Sequence, residues 1–511
     1  MTKRSIAIIA LALSPAMVVA QAPNSADEAR AKEMDSYVAK AVKDWHVAGL
    51  AIAVVKDNRV VFSKGYGVRE IGKAAPVDTS TLFAIASTTK AMTAASIGML
   101  VDEGKVNWDD PVTKYIPTLQ MYDPYVTREL TVRDLLTHRA GLGNADYLWD
   151  VDDYSMPEII QRMRLIKPEY SFRSGFVYQN IMYMMAGEVV AAASGLPWSK
   201  FVRTRIFEPI GMRSSIPLER LIAQGANRAS PHWLLGGDTL VLIHYSDGQS
   251  IGPAGGVWSN VSDMSRWMQF LLDSGKVGGK RLLQPATYAE LFKPQVMVPP
   301  DEFYPTAELT KPHWTTYGLG WFQQDYNGRM LNFHTGSLNG MVAIIGLIQD
   351  ERFGVYVLAN VDHAELRHAL MYKAADLFLG NTARDWSAEF NKMYSRRRAT
   401  GDSLRLASDG KRITGTRPSL ALSKYAGSYE DPVIGRIDIV DKAGKLRFTA
   451  GRNYSGDLEH WQYETFRIHF DQRWQGTDLI SFTIGDGIPT ALNTQGFSLS
   501  RVNGGGVSAT H

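Results

Sequence analysis

Strand-like apolar runs stand on either side of a long helical stretch, and this order dictates one discontinuous domain with helices inserted into it. Residues 50–55 and 60–67 flank the turn Lys56-Asp57-Asn58 and predict a β-hairpin, preceded by an amphipathic helix over residues 27–44. Residues 86–104 turn helical, rich in Ala and Met, with Gly104 placed as a C-terminal cap. Further helices are expected over 131–137, 157–165, 181–194 and 263–272. Strand character returns at 330–333, 341–349 and 354–360, followed by a helix over 364–379. The reading is an α/β (α+β) domain over 27–385, with an all-α insertion at about 108–272. A chain of 511 residues needs more than one core. Polar, Arg-rich residues 386–418 read as a linker. Residues 419–505 alternate like short strands between turns, which predicts a small β-barrel or sandwich.

Composition narrows the class. Apolar residues at 45% and charged residues at 21% describe an ordinary globular protein. A net charge of +3 with scattered Lys and Arg gives no reason to expect nucleic acid as a partner, and Arg396-Arg397-Arg398 reads as a solvated loop. Lys3 and Arg4 precede an apolar run from Ile6 to Val19, with the small residues of Ala20-Gln21-Ala22 behind it. That is the layout of a cleavable secretory signal over 1–22, which implies export to the periplasm. No other stretch approaches the roughly 18 apolar residues of a membrane span, so none is expected after cleavage. Cysteine is absent, so an exported chain of this composition is held by its cores and not by disulfides.

The chemistry concentrates in three short motifs. Ser87-Thr88-Thr89-Lys90 opens the helix expected at 86, and i,i+3 spacing sets the Lys90 amine beside the Ser87 hydroxyl. A lysine removed from water can assist such a nucleophile, and free N–H groups at the helix start can stabilise an oxyanion. In Tyr178-Gln179-Asn180, a tyrosinate beside a lysine ammonium is a candidate base. The Asn180 amide is a candidate partner for both a substrate carbonyl and the lysine. His334-Thr335-Gly336-Ser337 follows an expected strand. Gly336 would let a substrate approach its edge, and the Ser337 N–H would complete an oxyanion hole with that of Ser87.

Two look-alikes are set aside. Ser408 and Lys411 repeat the first spacing, but Asp409-Gly410 marks a turn with no helix to aim them. Gly248-Gln249-Ser250-Ile251-Gly252 fits a nucleophile elbow, yet Pro253, Gly255 and Gly256 argue against the helix that an elbow requires directly after it.

The order Ser-x-x-Lys, Tyr-x-Asn, His-Thr-Gly resembles the signature of the class C β-lactamase and DD-peptidase superfamily of serine hydrolases, over about residues 30–380. Leu135-Leu136-Thr137-His138, Ala254-Gly255-Gly256 and Tyr317-Gly318-Leu319-Gly320-Trp321 resemble it too, and Tyr425–Tyr429 resembles a β-domain appended to many relatives. The resemblance implies a penicillin-binding-protein-like fold, an antiparallel sheet flanked by helices. It also implies acyl transfer by Ser87 with Lys90 and Tyr178 as catalytic partners, and Asn180, His334, Thr335, Gly336 and Ser337 binding substrate.

No cofactor is implied. No metal-binding motif is found either, since His363 and His368 lie five apart and read as a solvated helix. The β-lactamases of the superfamily usually place lysine where this chain has His334. A neutral imidazole suits a substrate carboxylate less well, although an arginine from elsewhere could restore the charge. The expectation is therefore a peptidase of short or unusual peptides, including D-residue or nonribosomal ones. A carboxylesterase, a β-lactamase or DD-carboxypeptidase, and a non-catalytic penicillin-binding sensor are the alternatives.

Overall fold

An eight-stranded antiparallel sheet organises the first part of the chain, and it is closed by residues some 300 positions apart. The coordinates, a computed structural model, describe residues 25–151, 154–245, 251–362, 364–380 and 384–502. The expected signal at 1–22 lies outside them. The sheet strands are β1 (Gly49–Lys56), β2 (Arg59–Gly67), β3 (Val296–Met297), β4 (Thr315–Tyr317), β5 (Phe322–Tyr326), β6 (Arg329–Leu338), β7 (Met341–Ile348) and β8 (Phe353–Ala359). Their spatial order is β2-β1-β8-β7-β6-β5-β4-β3. The early hairpin joins the late strands through β1 and β8, paired from Leu50↔Ala359 to Lys56↔Phe353.

Burial on both faces explains why β1, β7 and β8 read as unbroken apolar runs rather than alternating ones. Leu50, Ile52 and Val54 point to one core, shared with α1 (Ser25–Asp44) and α5 (Leu366–Leu379). Ala51, Ala53 and Val55 point to the other, shared with α2 (Lys90–Asp102), α3 (Ile181–Ser194) and α4 (Val261–Leu272). Helix α2 is apolar all round because it is buried all round. Gly104 follows it at φ +68°, the left-handed cap that its position predicted.

Several expectations need correction. Residues 386–409, read as linker, form α6 (Trp386–Asp409), with Asp385 accepting from the Ala388 N–H at its start. Only Trp386, Phe390 and Met393 (at i, i+4, i+7), with Ser387, are buried, against Tyr372 of α5, so a polar composition hid a one-stripe helix. The Arg396–Arg398 triplet therefore lies on a helix, and so does Ser408, on its last turn. His368 is not solvated. It is buried in α5 beside Glu365. Beyond α6, eight strands from Gly427–Asp431 to Phe497–Val502 close into an antiparallel barrel around Tyr425, Tyr429, Phe466, Phe482 and their apolar neighbours.

Candidate active site

Ser87 stands on a tight helical turn, Ala86–Thr89, that leads straight into α2. Ala86 holds φ +46°, a left-handed conformation that costs a non-glycine residue about 1 kcal/mol or more. The surroundings keep it there. The Ile85 N–H donates to the Val257 carbonyl (2.9 Å), and β6 presses on the other side. A Cβ at Gly336 would lie 2.1 Å from the Ile85 oxygen. The glycine therefore admits the serine turn to the strand.

One turn on, the Lys90 side chain is fully buried. Its Nζ lies 3.2 Å from Ser87 Oγ, 2.6 Å from Asn180 Oδ1 and 3.0 Å from the Ala254 carbonyl oxygen. Burial pulls its pKa down to about 7, against a smaller opposing pull from the Asp146 carboxylate. A neutral amine has two N–H donors, which Asn180 and Ala254 absorb. Its lone pair is then left facing the Ser87 hydroxyl.

The Ala254 carbonyl comes from the stretch directly after the apparent elbow. Gly252–Gly255 does form one helical turn, contrary to expectation, because Pro253 sits in the first turn where no N–H is needed. The Pro253 carbonyl accepts from Thr93 Oγ1 (2.6 Å), fastening that turn to α2. Among the described residues, the nearest strand ahead of it is a short ribbon strand, Thr239–Leu242, and Gly248, Gln249 and Ser250 lie outside the described residues.

Tyr178 and Asn180 enter just ahead of α3. The Tyr178 hydroxyl is buried without a hydrogen-bond partner among the described residues, and Lys90 Nζ lies 4.9 Å from the centre of its ring. Burial raises its pKa well above the usual tyrosine value, only partly offset by Ser87. Burial thus works against the expected tyrosinate. Asn180 touches the lysine as expected, and its Nδ2 donates to both carboxylate oxygens of Asp146 (3.1 Å each).

The third motif lies inside a strand, not beyond its end, because β6 continues through Leu338. Strand β5 pairs with it only as far as Phe333, while β7 pairs with it through Leu338. One edge of residues 334–338 is therefore left unpaired by β5. His334 is buried, with Nδ1 donating to the Thr335 carbonyl (2.6 Å) and Nε2 accepting from the Tyr317 hydroxyl (3.1 Å). Burial and the nearby Lys90 lower its pKa to about 3, so the ring is neutral. Thr335 Oγ1 pairs with the Tyr304 hydroxyl (2.7 Å). Ser337 is exposed, and its Oγ accepts from Arg367 (2.8 Å).

All three motifs therefore converge, and the structure adds Asp146, Ala254, Tyr304, Tyr317 and Arg367 around them. Tyr317 and Ala254 stood in the stretches that carry the resemblance. Asp146 had no signal at all, being one acidic residue in a polar loop. His138 lies under Tyr178 with ring centres 4.4 Å apart, and its positive φ of +57° marks a tight turn that pattern reading does not reveal.

The Beta-lactamase family matches residues 34–378, and a domain of unknown function, DUF3471, matches residues 411–503. Among curated relatives, the unguisins hydrolase ungD' of Aspergillus campestris is 27% identical over 80% of this chain and 78% of its own length. The protein flp of Staphylococcus aureus (strain N315) is 24% identical over 65% of this chain and 63% of its own. Among solved structures, the octameric penicillin-binding protein homologue from Pyrococcus abyssi superposes with a TM-score of 0.60 at 22% identity. That alignment covers 92% of this chain and 99% of the other, and the likeness shows a shared fold. With the family match running through the sheet, the helical insertion and all three motifs, the chain belongs to the Beta-lactamase family of serine hydrolases.

Proposed function

We propose that this hydrolase cleaves amide bonds in short or unusual peptides, those with D-residues or of nonribosomal origin, through an acyl-enzyme on Ser87. The observation that carries the reading is the buried Lys90 amine, 3.2 Å from Ser87 Oγ and with its pKa near 7. In this reading the neutral amine takes the Ser87 proton as Oγ attacks the scissile carbonyl. The Ser87 and Ser337 N–H groups hold the oxyanion, and the substrate lies along the unpaired edge of β6. The neutral Tyr178 phenol, beside Ser87, hands a proton to the departing nitrogen. Water then releases the acyl group by the reverse proton path.

His334 supports a substrate without a carboxylate at this place. Its two ring nitrogens are already engaged, and it carries no charge. One arginine, Arg367, does reach this motif. It is buried, donates to the Gly336 carbonyl (2.5 Å) and to Ser337 Oγ, and is paired with Glu365 (3.3 Å). The test is a hydrolysis panel of nitrocefin, p-nitrophenyl butyrate, D- and L-aminoacyl p-nitroanilides and a D-rich peptide. D-containing amides should be turned over best. Nitrocefin as the fastest substrate would sink the reading, and an ester as the fastest would favour a carboxylesterase.

A His334→Lys change should shift preference toward carboxylate-bearing substrates by about 1–3 kcal/mol, if the new ion pair is shielded from water. The measurement is kcat/KM for nitrocefin relative to a neutral amide. A loss equal for both would mean that His334 only packs against Tyr317.

Export is part of the same proposal and rests on the Lys3-Arg4 head and the apolar run behind it. Expressed in a Gram-negative host, the mature protein should be periplasmic and begin at Gln21 or Pro23. N-terminal sequencing that finds Met1 on the periplasmic protein would overturn cleavage.

A further inference from the structure

A cavity of about 600 Å³ lies between the β-barrel and the loop of residues 144–151. Its floor belongs to the barrel interior, where Ile437, Phe448, Ile468 and Phe470 point inward from three strands. An eight-stranded barrel either fills its interior with its own side chains or holds one small ligand. Here Tyr425, Phe466 and Phe482 fill another part of the interior with ring contacts 5.0–5.6 Å apart, and the cavity occupies the part that faces residues 144–151.

The roof ties this space to the catalytic centre. Tyr147 packs edge-on against Phe497 with ring centres 5.1 Å apart. The Asp150 carboxylate accepts from the Tyr454 hydroxyl, and its carbonyl accepts from Asn453 Nδ2 (2.7 Å). Asp146 lines the same cavity and accepts from Asn180, whose Oδ1 in turn accepts from Lys90. Two hydrogen bonds thus separate the cavity wall from the amine that faces Ser87.

We propose that this cavity receives an apolar side chain of the bound substrate, branched or aromatic, so that the barrel selects what Ser87 cleaves. The inference rests on the peptide-hydrolase reading above. A volume of about 600 Å³ falls within the range of small-molecule pockets; Ile437, Phe448, Ala450, Ile468 and Phe470 give it an apolar side, and Asp146, Asp150, Arg436 and Asp478 are among the polar residues that line the rest. Ala450, buried and on the cavity wall, marks where a larger side chain would fill it.

The test uses the full-length chain and two independent readouts. N-phenyl-1-naphthylamine, an apolar fluorophore, should bind the Ser87→Ala protein at one site, and Ala450→Trp should weaken that binding about tenfold or more. In the active enzyme, the kcat/KM ratio for D-Phe over D-Ala p-nitroanilide should fall about tenfold with Ala450→Trp and move the opposite way with Phe497→Ala, which widens the rim. Should Ala450→Trp fail to fold, Phe497→Ala decides alone, and an unchanged ratio there overturns the proposal. Fluorophore binding untouched by Ala450→Trp in a folded protein overturns it as well. Fluorophore binding that is lost on filling, in an enzyme that turns over no peptide, supports the cavity as an apolar site and overturns the peptide reading instead.

Discussion

Replacing Ser87 by alanine should lower hydrolysis of any substrate on the order of 10⁴- to 10⁶-fold while leaving the protein folded. The side chain is half-buried and its hydroxyl meets the Lys90 amine, so its loss removes the acyl acceptor and little packing. Fluorophosphonate labelling followed by intact-protein mass spectrometry checks this directly: one adduct on the natural chain, none on the variant. If Ser87→Ala retained activity while Ser250→Ala lost it, the nucleophile would be the serine of the Gly248–Gly252 stretch, and acylation of Ser87 would be ruled out.

The second large effect concerns Lys90 and Tyr178 together. Lys90→Met and Tyr178→Phe should each cost nearly as much as the double change, because either loss interrupts one proton path. Strictly additive losses in log rate would count against a shared path. Stability separates the two variants. Lys90→Met leaves the Asn180 and Ala254 oxygens without a donor, at about 1–3 kcal/mol, which thermal unfolding would register. Tyr178→Phe removes a buried hydroxyl that has no hydrogen-bond partner among the described residues, so its unfolding temperature should hold or rise slightly. The same lysine sets the pH dependence. Its neutral form is the base, so kcat/KM should be level above pH 7 and fall about tenfold per pH unit below that value. A profile still rising through pH 9 would assign the limb to a group other than Lys90.

Local periodicity is enough for the parts of the fold whose burial is one-sided or complete. Helices α2 and α3, the β1–β2 hairpin and the strands β7 and β8 carry apolar patterns that match their surroundings. It fails where only a few residues anchor an element. Helix α6 buries residues only in its first turns, and the edge strand β3 and its neighbour β4 are two and three residues long. The site is legible as three motifs, but not their electrostatics. Residue type alone suggests an ionised tyrosine. Only the depth of burial shows that the Tyr178 pKa is pushed up while that of Lys90 is pulled down to about 7. Asp146 and the Ala254 carbonyl reach Lys90's surroundings through tertiary contact, which no local pattern encodes.

The pairing of β1 with β8 has a consequence for how the enzyme comes into being. The nucleophile is made early in synthesis, yet β6, which buttresses its turn, and β8, which locks the hairpin into the sheet, are made some 250 residues later. Ribosome-bound or prematurely terminated chains carry the serine without the strand that shapes it. Contacts this distant in sequence also form slowly, since a long loop must close before they are rewarded. The surroundings of Ser87 are thus assembled only when the hydrolase domain is complete.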